Sequence, residues 1–112
     1  MNDASGTLKG ERYVIILAGT IRVGAGKREA AVRALEPMIA ATRGEPGNIA
    51  YSFAFDLLDD HVLRIFEVFR DEAALAEHRA STHMTAWRAV ANGLGISDRD
   101  LWQYEVVSAK QI

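Results

Sequence analysis

Apolar residues recur along this chain with two different periods, and the switches between them mark its elements. Tyr13 to Ile21 is a run of β-branched and aromatic residues bounded by Gly10 and Gly24, which predicts a strand. Its alternate faces, Tyr13, Ile15, Leu17, Gly19, Ile21 and Val14, Ile16, Ala18, Thr20, are both largely apolar. A strand wetted on one face alternates apolar with polar, so this one is expected to be covered on both sides.

After a turn at Gly24 and Gly26 the period lengthens. Ala31, Leu35, Met38, Ile39 and Thr42 share one face at helical spacing, opposite Glu29, Arg33, Glu36 and Arg43, which predicts a helix over Lys27 to Arg43. Pro37 cannot donate to the carbonyl of Arg33, so a kink or a restart is expected there. Glu45-Pro46-Gly47 ends the helix. Period two returns in Asn48 to Leu57, with Ile49, Tyr51, Phe53, Phe55 and Leu57 on one face, and Leu58 to His61 turns the chain into a third strand, Val62 to Arg70. Asp71 is suited to cap a short helix through Ala80. Ser81 or Thr82 caps a second helical segment, striped by Met84, Trp87, Ala91 and Leu94 and closed by Gly93 and Gly95. Leu101 to Val107 is a last strand.

The order β–α–β–β–α–β is that of an α+β, ferredoxin-like domain: one antiparallel sheet with helices on one face and strands one and three central. The uncovered face, carrying large residues such as Tyr51, Phe53 and Phe55 or their neighbours, would be an exposed apolar patch. A second copy packed sheet against sheet would cover it, so a homodimer is expected.

Composition narrows the function more than the fold. With 112 residues there is one domain, 11–112, after a small polar tail, Met1 to Gly10, that lacks the apolar stretch of a signal peptide. The net charge is −2 and the 13 Lys and Arg form no cluster or stripe, which speaks against nucleic acid. The longest apolar run falls well short of the ~20 residues that span a bilayer, so no membrane partner and a cytoplasmic location are expected. Cysteine is absent, which removes disulfides, thiolate nucleophiles and cysteine-held metals.

The candidate chemistry is sparse. His78 and His83 are five apart across a helix break, not at the i, i+4 spacing that aims two imidazoles at one metal, and no metal is expected. His61 and His83 read as surface or capping residues. His78 follows Leu75 by three and Ala74 by four and so points toward the sheet, either as a core histidine bonded to a backbone carbonyl or as a general base beside a cavity. Glu67, between Ile65 and Phe69 on one strand face, must be paired or carry a raised pKa, and a partner arginine or tyrosine hydroxyl of the same or a second subunit is expected ahead of a catalytic role. The many aromatics are mostly core, with a subset suited to a flat aromatic ligand. No phosphate loop, G-x-G-x-x-G or G-x-S-x-G occurs.

In order and spacing, three stretches carry a resemblance over Tyr13 to Val107. They are Val23-Gly24-Ala25-Gly26-Lys27-Arg28-Glu29, Glu45-Pro46-Gly47-Asn48-Ile49-Ala50-Tyr51, and Glu67 through His78, continued by Ser81-Thr82-His83-Met84. The sequence resembles the antibiotic biosynthesis monooxygenase (ABM) family of dimeric α+β barrels. The resemblance implies a monooxygenase that uses dioxygen and no cofactor on a quinol or polycyclic phenol, with His78 as base or donor. Tyr51, Glu67 and Phe69 would belong to the cavity or its support; His83 and Trp87 are further wall candidates, on position rather than motif. Many relatives carry tryptophan where this chain has Phe69, which keeps the shape and loses the indole donor. The haem-degrading branch places a histidine where Arg88 stands and an asparagine near Ala18-Gly19; arginine cannot ligate haem, so haem degradation is not expected. Two alternatives stand beside an oxygenase: a non-catalytic binder of small aromatics, and an isomerase using His78 and Glu67 for proton transfer.

Overall fold

The computed structural model describes residues 13–112, so the expected N-terminal tail lies outside the described residues. Its elements are β1 (Val14–Arg22), α1 (Arg28–Arg43), β2 (Asn48–Phe55), β3 (Val62–Phe69), α2 (Glu72–Arg79), α3 (Thr82–Ala91), a single 3-10 turn over Asn92–Leu94, and β4 (Ser97–Val106). The strands form one antiparallel sheet in the order β2-β3-β1-β4, with β1 and β3 central as the crossover rule predicts.

Local chemistry explains most of the boundaries. Asp71 caps α2 by accepting from the Ala74 amide at 2.8 Å, and Ser81 caps α3 by accepting from Met84 at 3.3 Å. The helix α1 does not restart at Pro37 but runs through it as one element. Ala31, Leu35, Met38 and Thr42 are buried along that helix, and burial of Leu35 and Met38 at roughly 2 kcal/mol each offsets the one backbone hydrogen bond that proline removes. The strand β4 begins four residues before the expected Leu101. Ser97-Asp98-Arg99-Asp100 has no apolar alternation, and it joins the sheet by pairing with β1 across a register shift between Thr20 and Arg22. At this edge Gly19 has a φ of +152°, and a Cβ there would lie 1.9 Å from the Asp100 carbonyl oxygen.

The core lies between the sheet and α1 and α2, built on Ile15, Leu35, Met38, Tyr51, Leu63, Phe69 and Leu75. Tyr51, Phe53 and Phe55 therefore face the helices, so of the two expected sets it is not these residues that line the open face. Register decides it, because Tyr51 pairs with Glu67 and Phe53 with Ile65, all on the side of the buried Phe69. Their neighbours occupy the open face: Ala18 of β1 lies between Phe66 and Trp102, and Ile16 lies between Val68 and Tyr104. Trp102, Tyr104 and Phe66 there are 64%, 50% and 43% exposed. Among the described residues no helix is long and apolar enough to cross a membrane.

Candidate functional site

The α1–β2 loop is the part of the backbone that builds the site. Gly47 lies so close to α2 that a Cβ there would stand 2.3 Å from the Ala74 Cβ, and the Gly47 carbonyl accepts from the Arg70 amide at 2.8 Å. Ala74 and His78 lie one turn apart on the same face of α2. Docking Gly47 on Ala74 therefore carries Glu45 to His78. Glu45 Oε2 lies 3.0 Å from His78 Nδ1 and 2.5 Å from His83 Nε2, so one carboxylate oxygen accepts from two imidazoles. His83 is thus no plain surface residue, and the two histidines that spacing kept apart converge through an acid on another element. These three residues offer one oxygen and two nitrogens within 4.8 Å of one another, a donor set a divalent cation could use. With a proton on each imidazole nitrogen, the carboxylate is satisfied without one.

On the far side of His78 the balance reverses. With Nδ1–H directed at Glu45, Nε2 carries the lone pair. That atom is buried with no hydrogen-bond partner, and Glu67 Oε1 stands 4.0 Å from it. Within the subunit, the expected arginine or tyrosine partner of Glu67 is not found among the described residues. The Tyr51 hydroxyl, across the ladder from Glu67, donates instead to Met38 Sδ at 3.0 Å, and Arg79 and Arg99 act on Glu67 only through their fields. Burial, opposed by those two arginines and reinforced by Glu45, pushes the Glu67 carboxyl up from its ordinary 4.5 to about 7. Burial likewise lowers the His78 pKa, against the pull of Glu45, and raises that of Tyr51.

Glu67 opens onto a cavity of about 480 Å³ between the sheet and α3, walled by Tyr51, Phe53, Ile65, Met84, Trp87 and Leu101. Of the residues singled out from sequence, Tyr51, Glu67 and Trp87 line it. His78 and Phe69 stand behind it, 4.9 Å apart between ring centroids, and His83 borders a second hollow of about 230 Å³ between α1 and α3 that shares Trp87. The alignment is Glu45, His78, Glu67, cavity. Glu45 was missed as a site residue because its local role, in a helix-ending Glu-Pro-Gly, explains it fully; only the packing of Gly47 on α2 reveals the second role.

Comparison with known proteins assigns the scaffold. The sequence model of the family described as antibiotic biosynthesis monooxygenase matches residues 14–90, more than half of the chain. The chain belongs to that family. A candidate family member from Deinococcus radiodurans superposes with a TM-score of 0.77 at 25% identity, covering 88% of this chain and 97% of that one. Another from Caulobacter crescentus gives 0.80 at 18% identity, with 86% and 92% covered, a likeness of fold alone. A Bacteroides thetaiotaomicron protein of unknown function, suggested as an oxidoreductase, gives 0.75 at 26%, with 84% and 98% covered. An uncharacterised Synechocystis protein is 39% identical over 71 residues, 63% of this chain; the match takes in 48%, about half, of that relative's length. The ABM scaffold therefore carries, in this chain, a buried acid at a cavity wall.

Proposed function

We propose that this ABM protein is a monooxygenase that oxidises a quinol or polycyclic phenol with dioxygen, the electrons coming from the substrate itself. One observation carries the proposal: Glu67, poised near neutrality, lines an aromatic cavity and backs onto the unpartnered Nε2 of His78. A carboxyl with a pKa near 7 is matched to taking a proton from a phenol or an anthrone at physiological pH. The substrate anion passes one electron to dioxygen, and the resulting radical and superoxide join through a new C–O bond. The peroxide anion so formed takes back the proton held by Glu67 and becomes a hydroperoxide. The carbon that bears it then loses its hydrogen as the O–O bond breaks, leaving a carbonyl and water. One oxygen stays in the product, the other leaves as water, and all four electrons come from the substrate. His78 holds the proton relay in one tautomer, set by Glu45, and is a positioning residue for Glu67.

We further propose that two copies pair through the open sheet face. Phe66, Trp102 and Tyr104, with Ile16, Ala18 and Val68 between them, present a contiguous apolar patch, and a twofold partner offering the same patch closes the assembly. Light scattering at micromolar concentration should give twice the 12.3 kDa chain mass, and a particle of chain mass alone would rule the pairing out.

Oxygen uptake by metal-free protein over a panel of hydroquinones and anthrones tests the reaction. Uptake above the uncatalysed rate, with one atom of labelled dioxygen in the product, is expected. Binding without uptake across the panel would favour the non-catalytic binder, and solvent deuterium entering a hydroxy-ketone without uptake would favour the isomerase.

A further inference from the structure

We propose that the cavity takes a flat aromatic ligand with two unlike ends, an ionisable hydroxyl that meets Glu67 and a carboxylate that meets Arg99 and Arg88. This rests on the cavity described above, but not on the oxygen chemistry. Both arginines line the same cavity as Glu67, Arg88 from α3 and Arg99 from the start of β4. Outside the cavity, Arg22, Arg28, Arg64 and Arg70 each sit within 4.0 Å of an aspartate carboxylate. Arg33, Arg43 and Arg79 have no carboxylate partner among the described residues either, but none of them lines the cavity. The cavity pair differs in bringing two such guanidiniums to one opening. The Arg99 guanidinium makes no ion pair or hydrogen bond with any described residue, and its field alone reaches Glu67. Arg88 spends one Nη2 donor on the Arg79 carbonyl at 2.8 Å and has no carboxylate partner among the described residues.

Two unneutralised guanidiniums at one opening are not a by-product of surplus basic charge, because the chain as a whole carries −2. Glu67, about half protonated near neutral pH, cannot balance both. Low-dielectric walls focus such a field into the opening, and a guanidinium presents paired N–H donors that match a carboxylate. Between the charged ends, Tyr51, Phe53 and Trp87 offer ring surface to an aromatic core.

The test compares 6-hydroxy-2-naphthoate with 2-naphthol, which share a hydroxylated two-ring core and differ in the carboxylate. Titration calorimetry on the intact chain at low salt should show the naphthoate binding about tenfold tighter, as one charge-assisted pair contributes. Arg99→Gln, at an exposed position, should remove most of that preference while 2-naphthol binds as before, and 0.5 M salt, roughly a Debye length of a few ångströms, should do the same in the unaltered protein. Equal affinities for the two probes, equal weakening of both by Arg99→Gln, or binding of neither would overturn the proposal. Preferential naphthoate binding without oxygen uptake from any hydroquinone would uphold it while removing the oxygenase.

Discussion

Glu45 and Glu67 stand on either side of His78 and are similarly buried, with side chains 18% and 11% exposed, yet the fold treats them in opposite ways. Glu45 accepts from two imidazoles on one oxygen. Glu67 has His78 Nε2 at 4.0 Å and no hydrogen-bond donor among the described residues, and its carboxyl is pushed up to about 7. The difference is donors, not depth. A buried carboxylate supplied with N–H groups is a structural anchor, and one denied them is held ready to take or give a proton. The hydroxyl that could have supplied Glu67 is turned to a sulfur instead.

If that contrast governs function, the two acids should fail differently. Glu67→Gln keeps the shape of the cavity wall and removes the proton acceptor. Oxygen uptake on any accepted phenol should fall by about 10³, within the span general-base catalysis contributes, with substrate affinity little changed. A fall of less than tenfold would remove Glu67 from the chemistry and return His78 to consideration.

The same variant sharpens the comparison in stability. Below pH 4.5 Glu67 is protonated both folded and unfolded, and its burial carries no ionic penalty. Between 4.5 and about 7 the unfolded chain releases this proton and the folded chain keeps it, so the native state loses about 1.4 kcal/mol per pH unit. The loss is complete above the folded pKa, at about 3 kcal/mol. Glutamine does not titrate. Urea unfolding should therefore show Glu67→Gln gaining about 3 kcal/mol on the parent between pH 4.5 and pH 8. A pH-independent difference would mean that Glu67 has a donor after all.

Glu45 should behave as an anchor. Glu45→Ala leaves His78 Nδ1, deeply buried, and His83 Nε2, partly buried, without their acceptor, and unfolding at pH 7.5 should become easier by about 2 kcal/mol. Glu45→Gln retains one acceptor oxygen and should recover roughly half of that. Neither variant stabilises at high pH, the reverse of Glu67→Gln. If Glu45→Ala were neutral, the bridge between the two histidines would have no energetic role.

How much of this was legible before the fold was known follows the range of each interaction. Asp71 and Ser81 announce their caps because a cap is made with an amide three residues away. The order of the strands follows from connection handedness, and Glu67 drew notice because Ile65 and Phe69 flank it on one strand face. The start of β4 was hidden, since Ser97 to Asp100 pair by backbone alone and show no alternation. Glu45 was hidden more deeply. It meets His78 at a separation of 33 residues, through a glycine whose only sign in sequence is a turn. Arg99 acquires meaning only once β4 lies beside β1 and opens onto the same cavity as Glu67. Interactions within one element can be read along the chain; the site is made of contacts between elements.

The smallest expected effect tests the withheld donor directly. Tyr51 lies opposite Glu67 on the ladder and is close enough for the acid to raise its pKa, but its hydroxyl donates to Met38 Sδ, which also receives Thr42 Oγ1 at 3.6 Å. Sulfur is a weak acceptor, so Tyr51→Phe should lower stability by about 1 kcal/mol or less. More telling is the titration of Glu67, followed by carboxyl NMR in that variant. With the hydroxyl engaged by sulfur, its removal takes no hydrogen bond from Glu67, and the midpoint should stay near 7. A clear upward move would show that Tyr51 turns to the carboxylate in solution. Glu67 would then be a partly supplied acid, closer to Glu45 than their separate surroundings indicate.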